Sequence, residues 1–211
     1  LGYEVIDNKG LGLVWMSVGN SHLKKEVIRE LLKFAHKSFS KIKILVPFEP
    51  AIYTYLGFGY EQKVARKKAK LNSNRLINHV NQLIEENQEL GENLEIVDWK
   101  NDILSNEYYQ SQRKEIQELY NTNKQFRFDA QETTKQVILG RVEEPRPENI
   151  EVGVKYLLDE LAFVLSSPNI YQEKVTYNYH KPWPVFEKLV NGEYDKKKKD
   201  VGFILLERAE I

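Results

Sequence analysis

The most informative stretch of the chain lies near its N-terminal end and has the sequence Leu11-Gly12-Leu13-Val14-Trp15-Met16-Ser17-Val18-Gly19-Asn20-Ser21. From Leu11 to Met16 every residue except Gly12 is apolar, which is typical of a strand buried on both faces of a parallel sheet. Helical spacing of apolar residues begins soon after Ser21. Ser17 is therefore predicted to lie on a turn between a strand and a helix. Open α/β sheets bind their ligands at such carboxyl ends of strands.

Two interpretations of Ser17 are open on this stretch alone. A serine hydroxyl at such a corner is a candidate nucleophile. Alternatively, a serine or asparagine of the stretch caps the helix that begins near Leu23, because its side-chain oxygen accepts hydrogen bonds from the first backbone N–H groups of the helix.

Composition limits the class of protein. A chain of 211 residues with 41% hydrophobic content is long enough for one substantial core and short for two, so we expect a single domain spanning 1–211. The 31 basic and 31 acidic side chains cancel, so the whole chain carries no electrostatic signature of a nucleic-acid-binding protein. The absence of cysteine excludes disulfides and thiolate metal sites.

Metal and membrane partners are not expected either. The four histidines show no metal-ligand spacing, so no metal is predicted. No apolar run is long enough to span a bilayer, and we expect a cytoplasmic protein with no membrane partner.

Strand patterns alternate with helical patterns along the chain. The strands predicted after the first are 42–46, 93–99, 175–180 and 201–206. The predicted helices are 23–37, 51–57, 63–84, 102–121, 131–140 and 150–166. This alternation predicts the fold class α/β, with a single Rossmann-like domain in which helices flank a mostly parallel five-stranded sheet.

One predicted helix is strongly basic. There is no Asp or Glu between residues 62 and 84, and the cations singled out there are Lys63, Arg66, Lys67, Lys70 and Arg75. The first four lie at i, i+3, i+4 and i+7 and so share one helix face. Such a face is either a solvated surface or a site for a phosphate backbone, and the missing acidic partners favour the phosphate interpretation.

The helix predicted at 150–166 carries a phenol and a carboxylate side by side. Tyr156 and Glu160 are four residues apart and share a face with Phe163. Because its neighbours are apolar, Glu160 is expected to be partly buried, and a buried carboxylate requires a partner or a function. The structural alternative is an ion pair with a lysine.

In their order and spacing these features resemble those of the cyclodipeptide synthases, enzymes that join the amino acids of two aminoacyl-tRNAs into a diketopiperazine. The resemblance covers most of the chain. It is carried by Ser17 with Asn20, Tyr156-x-x-x-Glu160 and Tyr179-His180-Lys181-Pro182-Trp183, supported by the basic helix and the region from Phe126-Arg127 to Gly140-Arg141. Asn20, Tyr179 and His180 resemble the branch of the family named for asparagine, tyrosine and histidine.

The resemblance implies a fold similar to the catalytic domains of class I aminoacyl-tRNA synthetases, without ATP or another cofactor. It implies that Ser17 takes an aminoacyl group from the first aminoacyl-tRNA. A second aminoacyl-tRNA then supplies an amine that attacks this acyl-enzyme, and the dipeptide closes on its own ester to release Ser17. The basic helix would bind the acceptor stem, and we expect a monomer.

The same resemblance implies roles for the other site residues. Tyr156 and Glu160 would hold the α-ammonium of the acyl group, and Glu160 would accept a proton from the attacking amine. Tyr179 would position the Ser17 loop and relay protons. Asn20 and His180 would brace that network, and a hydrogen-bonded core histidine is the structural alternative for His180.

One part of the chain departs from the family pattern. Trp15 and Met16 stand where a small residue is expected, and Ala162 replaces a proline. These positions adjoin the pocket implied for the first amino acid, whose lining is predicted to be Leu13, Trp15, Phe163, Val164 and Tyr177. A bulky indole there would shrink or redirect the pocket, so the identity of the substrates is not predicted.

Two other functions fit parts of the sequence. Ser17-Val18-Gly19 at a strand-to-helix turn is half of the nucleophile elbow of an α/β serine hydrolase, but Trp15 occupies the place of its first glycine. A non-catalytic tRNA-binding module would use the basic helix and leave Ser17 and Glu160 without a role.

Overall fold

A parallel sheet organises the fold. The computed structural model describes residues 10–179, 183–195 and 202–205. The strands are β1 (Leu11–Trp15), β2 (Lys41–Leu45), β3 (Leu94–Val97), β4 (Val175–Tyr179) and β5 (Gly202–Leu205). They pair in the order β3-β2-β1-β4-β5, and every pair is parallel. The apolar stretch that ends just before Ser17 therefore provides the central strand.

Helices connect and cover these strands. They are α1 (Lys25–Ser38), α2 (Phe48–Gly57), α3 (Gln62–Glu86), α4 (Glu107–Thr122), α5 (Lys124–Leu139), α6 (Pro147–Tyr171) and α7 (Pro184–Val190). The prediction of an α/β fold with a parallel sheet flanked by helices is confirmed. In the part of the chain that the structure describes, no helix combines the length and the apolar character needed to cross a membrane.

The two faces of the sheet carry separate cores because side chains alternate along each strand. Leu11, Leu13 and Trp15 of β1 point to the core formed with α4, α5, α6 and α7. Val14 and Met16 point to the opposite core, formed with α1, α2 and α3. The result is a three-layered arrangement in which Ser17 follows the middle strand of the middle layer.

Several boundaries differ from the predictions, and side-chain hydrogen bonds explain two of them. The helix predicted at 131–140 begins at Lys124, because the Asn123 side chain accepts the Phe126 N–H and caps the first turn. The strand predicted to reach Trp99 stops at Val97, because Asp98 caps a π-helical turn formed by Trp99–Ile103.

The predicted helix 150–166 was too short at both ends. It begins at Pro147, where proline suits the first turn, and it continues through Pro168 to Tyr171. Proline removes the N–H that would bond to the Val164 carbonyl oxygen. The Ser167 hydroxyl donates to that oxygen instead, at 2.9 Å, so the carbonyl group keeps a partner. Helix α7 was not predicted.

Candidate active site

Ser17 lies on a tight turn directly after β1. The Asn20 N–H donates to the Ser17 carbonyl oxygen at 3.2 Å, and Gly19 between them has φ of 88°. A positive φ at the third position is the requirement of a type II turn, which glycine meets without strain. A Cβ atom on Gly19 would lie 2.7 Å from the Tyr55 hydroxyl oxygen, so the close approach of Tyr55 also requires glycine.

The interpretation of this stretch as a helix cap is wrong. Helix α1 begins only at Lys25, and its first turn receives no side-chain cap. The Asn20 side chain instead accepts the His22 N–H at 2.9 Å, within the loop itself. Ser17 is thus free of a capping role, and its hydroxyl lies at the wall of a cavity.

The cavity brings four of the predicted catalytic residues together. It has a volume of about 400 Å³ and is lined by Ser17, Asn20, Tyr156 and Glu160 among others. Helix α6 supplies Tyr156 and Glu160 from successive turns of one face, as the spacing predicts. The Glu160 side chain is accessible over only 3% of its surface, so the carboxylate is buried at the cavity wall.

Tyr156 connects the strand to the helix across the cavity. Its hydroxyl accepts the Trp15 Nε1–H at 3.0 Å, and the side chain of Ser17 also interacts with it. Burial raises the pKa of Tyr156, and the nearby charge of Glu160 raises it further, whereas the hydrogen bonds from Ser17 and Trp15 lower it. The net pKa lies well above the ordinary value, so Tyr156 acts as a neutral phenol.

The five residues predicted to line the pocket for the first amino acid lie elsewhere. They are Leu13, Trp15, Phe163, Val164 and Tyr177, all at most 6% exposed, and all belong to the core between the sheet and α6. None of them lines the cavity. The ring of Trp15 packs against those of Trp99 and Phe163, at centroid distances of 5.5 Å and 5.8 Å. Interdigitated aromatic rings pack closely behind the Ser17 turn.

The basic helix α3 presents its cations to solvent. The five predicted phosphate-binding residues, Lys63, Arg66, Lys67, Lys70 and Arg75, are all exposed. Within the described ranges, none of the five forms an ion pair with an acidic side chain. The apolar side of α3 packs inward through residues such as Leu76 and Val80. The charged face is therefore available to a polyanion.

Tyr55 connects this helix to the Ser17 turn. Its hydroxyl accepts a hydrogen bond from Asn72 of α3 at 2.8 Å and lies against Gly19. Burial raises its pKa, while the positive charges of Arg141 and Arg75 and the bond from Asn72 act in the opposite direction. Arg141 donates to the Gly19 carbonyl oxygen at 3.2 Å and lines the cavity. Positive charge thus extends from α3 to the cavity.

The remaining predicted residues are Tyr179 and His180. Tyr179 is the last residue of that strand, paired in register with Leu205 of β5, and its side chain lies outside the described part of the chain. His180 also lies outside the described residues. Among the residues that are described, no group of three or more His, Asp or Glu side chains is placed to hold a metal ion.

Several cavity residues were not predicted from the sequence. Thr134 and Val137 of α5 and Phe58 after α2 also line the cavity. Trp183 and Arg141 line it too, although the sequence places them only within the segments that carry or support the family resemblance. Thr134, Val137 and Phe58 have no pattern that singles them out, so no local sequence signal marks them.

Comparison with known proteins identifies the family. Residues 4–208 match the sequence model of the cyclodipeptide synthases. The chain belongs to the cyclodipeptide synthase family. Members of this family are aminoacyl-tRNA-dependent enzymes that form cyclic dipeptides, and they are related to class I aminoacyl-tRNA synthetases. Membership favours an enzyme over a non-catalytic tRNA-binding module, and acyl transfer over ester hydrolysis.

Individual cyclodipeptide synthases are distant in sequence but close in fold. Cyclo(L-leucyl-L-leucyl) synthase from Bacillus subtilis (strain 168) is 23% identical over 199 residues, which cover 90% of this chain and 79% of the relative. A cyclodipeptide synthase from Bacillus thermoamylovorans has a TM-score of 0.87 at 21% identity, covering 98% of this chain and 92% of its own. One from Candidatus Glomeribacter gigasporarum, bound to Phe-tRNAPhe, has a TM-score of 0.68 at 14% identity, with 97% and 90% covered.

Proposed function

We propose that this cyclodipeptide synthase works by covalent transfer through Ser17. The observation that supports this most directly is that Ser17, Tyr156 and Glu160 line one cavity. A hydroxyl next to a neutral phenol and a buried carboxylate fits acyl transfer from an ester that is already activated.

In the first step the Ser17 Oγ attacks the carbonyl carbon of an aminoacyl-tRNA. A new ester bond forms to Oγ, the bond to the ribose oxygen breaks, and the serine proton leaves with the free tRNA hydroxyl. One ester replaces another, so no ATP is needed. The α-ammonium of the acyl group is held between Glu160, which supplies the opposite charge, and the phenol oxygen of Tyr156.

The second step differs from the expectation drawn from the resemblance. If the incoming amine attacked acyl-Ser17, Ser17 would be released at once and a dipeptidyl-tRNA would remain. For Ser17 to be released by ring closure, the amine must belong to the residue already on Ser17. Glu160 accepts a proton from that ammonium, and the amine attacks the ester of the second aminoacyl-tRNA, which releases tRNA. The terminal amine of dipeptidyl-Ser17 then closes the diketopiperazine and frees the Ser17 hydroxyl.

Two elements support the binding of tRNA rather than a free amino acid ester. The exposed cations of α3 match a phosphate backbone, and Arg141 and Arg75 continue the positive charge towards the Ser17 turn. We infer that α3 binds the acceptor stem and that the aminoacyl end enters the cavity beneath it.

The other predicted residues have supporting roles in this proposal. We infer that Asn20, Tyr179 and His180 mark the branch of the family with the Asn/Tyr/His signature and hold the Ser17 loop. Asn20 does so through its bonds within the turn. The five core residues Leu13, Trp15, Phe163, Val164 and Tyr177 limit the depth of the cavity from behind. The enzyme is proposed to consist of one catalytic domain over 1–211, to act as a monomer, and to work in the cytoplasm, where charged tRNA is present.

The decisive experiment expresses the chain in bacteria and searches the medium for cyclic dipeptides by mass spectrometry. The wild type should release a product, Ser17→Ala should release none, and Ser111→Ala, which alters an exposed serine of α4, should match the wild type. Incubation of the purified protein with aminoacyl-tRNA should add the mass of one aminoacyl group at Ser17. Product from Ser17→Ala, or an acyl group on another residue, would refute covalent transfer through Ser17.

A further inference from the structure

Trp15 is a buried residue that forms a hydrogen bond to a residue of the cavity. It is the last residue of β1, it is 6% exposed, and it does not line the cavity. Its indole Nε1–H nevertheless reaches through the cavity wall and donates to the Tyr156 hydroxyl oxygen at 3.0 Å. This hydrogen bond joins the aromatic core to the catalytic site.

The direction of this N–H is fixed by packing. The ring of Trp99 meets the Trp15 ring edge-on, with an interplanar angle of 88°, and the Phe163 ring packs against it at 41°. A bicyclic ring enclosed in this way cannot turn without displacing its neighbours. The indole therefore presents its N–H to one point in space, which is the Tyr156 oxygen.

The number of hydrogen bonds that the Tyr156 phenol can form is limited. An indole N–H is a donor only, so Tyr156 must accept from it, and one acceptor position and one proton remain on the phenol. The Ser17 side chain is also bonded to the phenol. With the Trp15 side occupied, the remaining acceptor position and the phenol proton are both directed towards the cavity, where Ser17 and Glu160 lie.

We propose that Trp15 is a positioning residue for acyl transfer. Its N–H occupies one acceptor position of the Tyr156 phenol and so aims the other at the Ser17 hydroxyl, which donates to it before transfer. Once Ser17 is acylated and has lost its proton, that position receives the α-ammonium of the acyl group. This inference rests on the proposed function of Ser17 and Tyr156. It gives the tryptophan, which stands where a small residue was expected, a role besides filling space.

Trp99 provides a matched control within the same cluster. It is buried to a similar extent, at 3% exposed, and it packs against Phe163, as Trp15 does, and against Trp15 itself. Its Nε1–H has no hydrogen-bond partner among the described residues. Trp15→Phe and Trp99→Phe therefore remove the same atoms from the same core, but only Trp15→Phe removes a hydrogen bond to Tyr156.

The test measures the single-turnover rate of aminoacyl transfer to Ser17 by intact-protein mass spectrometry. Trp15→Phe should slow the transfer about tenfold at saturating aminoacyl-tRNA, the effect of losing one buried hydrogen bond, with little change in the concentration needed for half-saturation. Trp99→Phe should stay within about twofold of the wild type. Thermal unfolding of both variants measures the shared packing loss.

A double-mutant cycle separates positioning from a structural role. In a Tyr156→Phe background the indole has no hydroxyl to orient, so adding Trp15→Phe should slow transfer no further. If Trp15→Phe has the same effect in both backgrounds, or if it matches Trp99→Phe, the proposal is overturned.

A variant that does not fold and a wild type that is not acylated can both be distinguished from a failure of the inference. If Trp15→Phe does not fold, benzothienylalanine at position 15 keeps the bicyclic shape and replaces the N–H by sulfur, and the same tenfold loss is expected. If the wild type takes no acyl group at Ser17, the proposed function itself fails. That outcome is distinct from a wild type that is acylated and a Trp15→Phe variant that is equally fast, which refutes the inference alone.

Discussion

Glu160 is the residue whose charge the proposed mechanism uses most directly. It is the buried carboxylate of the cavity, opposite the Ser17 turn. A hydrogen bond to a charged group contributes about 1.5 to 3 kcal/mol, which corresponds to roughly 10- to 150-fold in rate.

Glu160→Gln should therefore slow acylation of Ser17 by about 10- to 150-fold, because the amide keeps the shape but not the charge that holds the ammonium. The rate is measured by mass spectrometry with aminoacyl-tRNA, and circular dichroism checks the fold. Glu148→Gln, in the first turn of the same helix and exposed, is the control and should match the wild type. Equal rates for Glu160→Gln and the wild type would remove the carboxylate from the mechanism.

Gly19 determines the shape of the Ser17 turn. Gly19→Ala should lower the free energy of unfolding by about 1 to 3 kcal/mol, because the residue has φ of 88° and its Cβ would lie 2.7 Å from the Tyr55 hydroxyl. Cyclic dipeptide yield should fall with it, since the turn carries Ser17. Urea unfolding and product yield are the measurements.

Gly10→Ala is the matched control for that variant. Its Cβ would lie 3.6 Å from the nearest atom, the Lys174 carbonyl oxygen, which is an ordinary contact. It should have little effect on either measurement. A stable and active Gly19→Ala variant would show that the turn tolerates a side chain.

At the residue scale, the catalytic residues could be predicted from the sequence, but the packing around them could not. Ser17, Tyr156 and Glu160 were predicted from a strand end and a helical spacing, which are local patterns, and the structure places them in one cavity. Trp15 was predicted to line the substrate pocket, yet its side chain is enclosed by Trp99 and Phe163. Contacts between rings that are far apart in sequence leave no periodic signal, so the closed space behind the Ser17 turn could not be predicted.

At the element scale, the exposed cations of α3 are predicted to determine tRNA affinity. The triple variant Lys63→Ala, Lys67→Ala, Lys70→Ala should bind tRNA more weakly. Its plot of log affinity against log salt should be less steep by about one for each phosphate that the helix no longer binds, so by about 3. Filter binding at several salt concentrations provides both values.

Three other exposed lysines serve as the control for α3. Lys24→Ala, Lys37→Ala and Lys114→Ala together remove the same charge from outside this helix, and the salt dependence should stay close to that of the wild type. If both triple variants weaken binding equally, net charge rather than the face of α3 is responsible.

Helix boundaries depend on single side-chain hydrogen bonds that apolar periodicity does not reveal. The start of α5 was predicted too late, because the Asn123 side chain that caps it lies before the periodic run of apolar residues. Helix α6 continues past Pro168 because Ser167 supplies a hydrogen bond to the exposed carbonyl. Burial on one face imposes a period that local patterns can reveal, whereas caps depend on single side chains.

At the scale of the whole molecule, Asp129 holds the 183–195 segment against α5. It accepts hydrogen bonds from Lys188 Nζ at 2.8 Å and from the Tyr194 hydroxyl at 2.7 Å. Burial acts to raise the pKa of Asp129, but the bonds from Lys188, Tyr194 and Gln125 outweigh it and lower the pKa below its usual value. The Asp129 carboxylate in turn raises the pKa of Lys188. Trp183, at the start of this segment, lines the cavity.

These pKa shifts predict a pH-dependent loss of stability. A carboxylate whose pKa is lower in the folded state stabilises fully above its unfolded pKa of about 3.9 and loses this effect as pH falls through the folded value. For Lys188 the sign is opposite, and its effect is lost as pH rises above about 10.4. The difference in unfolding free energy between wild type and Asp129→Asn should therefore be constant near neutral pH and shrink below about pH 4.

Urea unfolding at pH 7 and pH 3 provides this difference. Glu132→Gln is the control on the same helix, because its surface pair with Lys135 spans 3.7 Å and contributes little. A difference between wild type and Asp129→Asn that is unchanged at pH 3 would exclude the proposed role of Asp129.

The sheet order also sets the time at which activity begins. Of the five strands of the sheet, β1, which ends just before Ser17, is synthesised first, but its neighbour β4 begins only at Val175. Non-local parallel pairing of this kind forms slowly and needs both partners. A nascent chain thus passes among the charged tRNAs of translation with an unfinished catalytic centre. Acyl transfer through Ser17 is therefore expected to begin only after β4 has paired with β1.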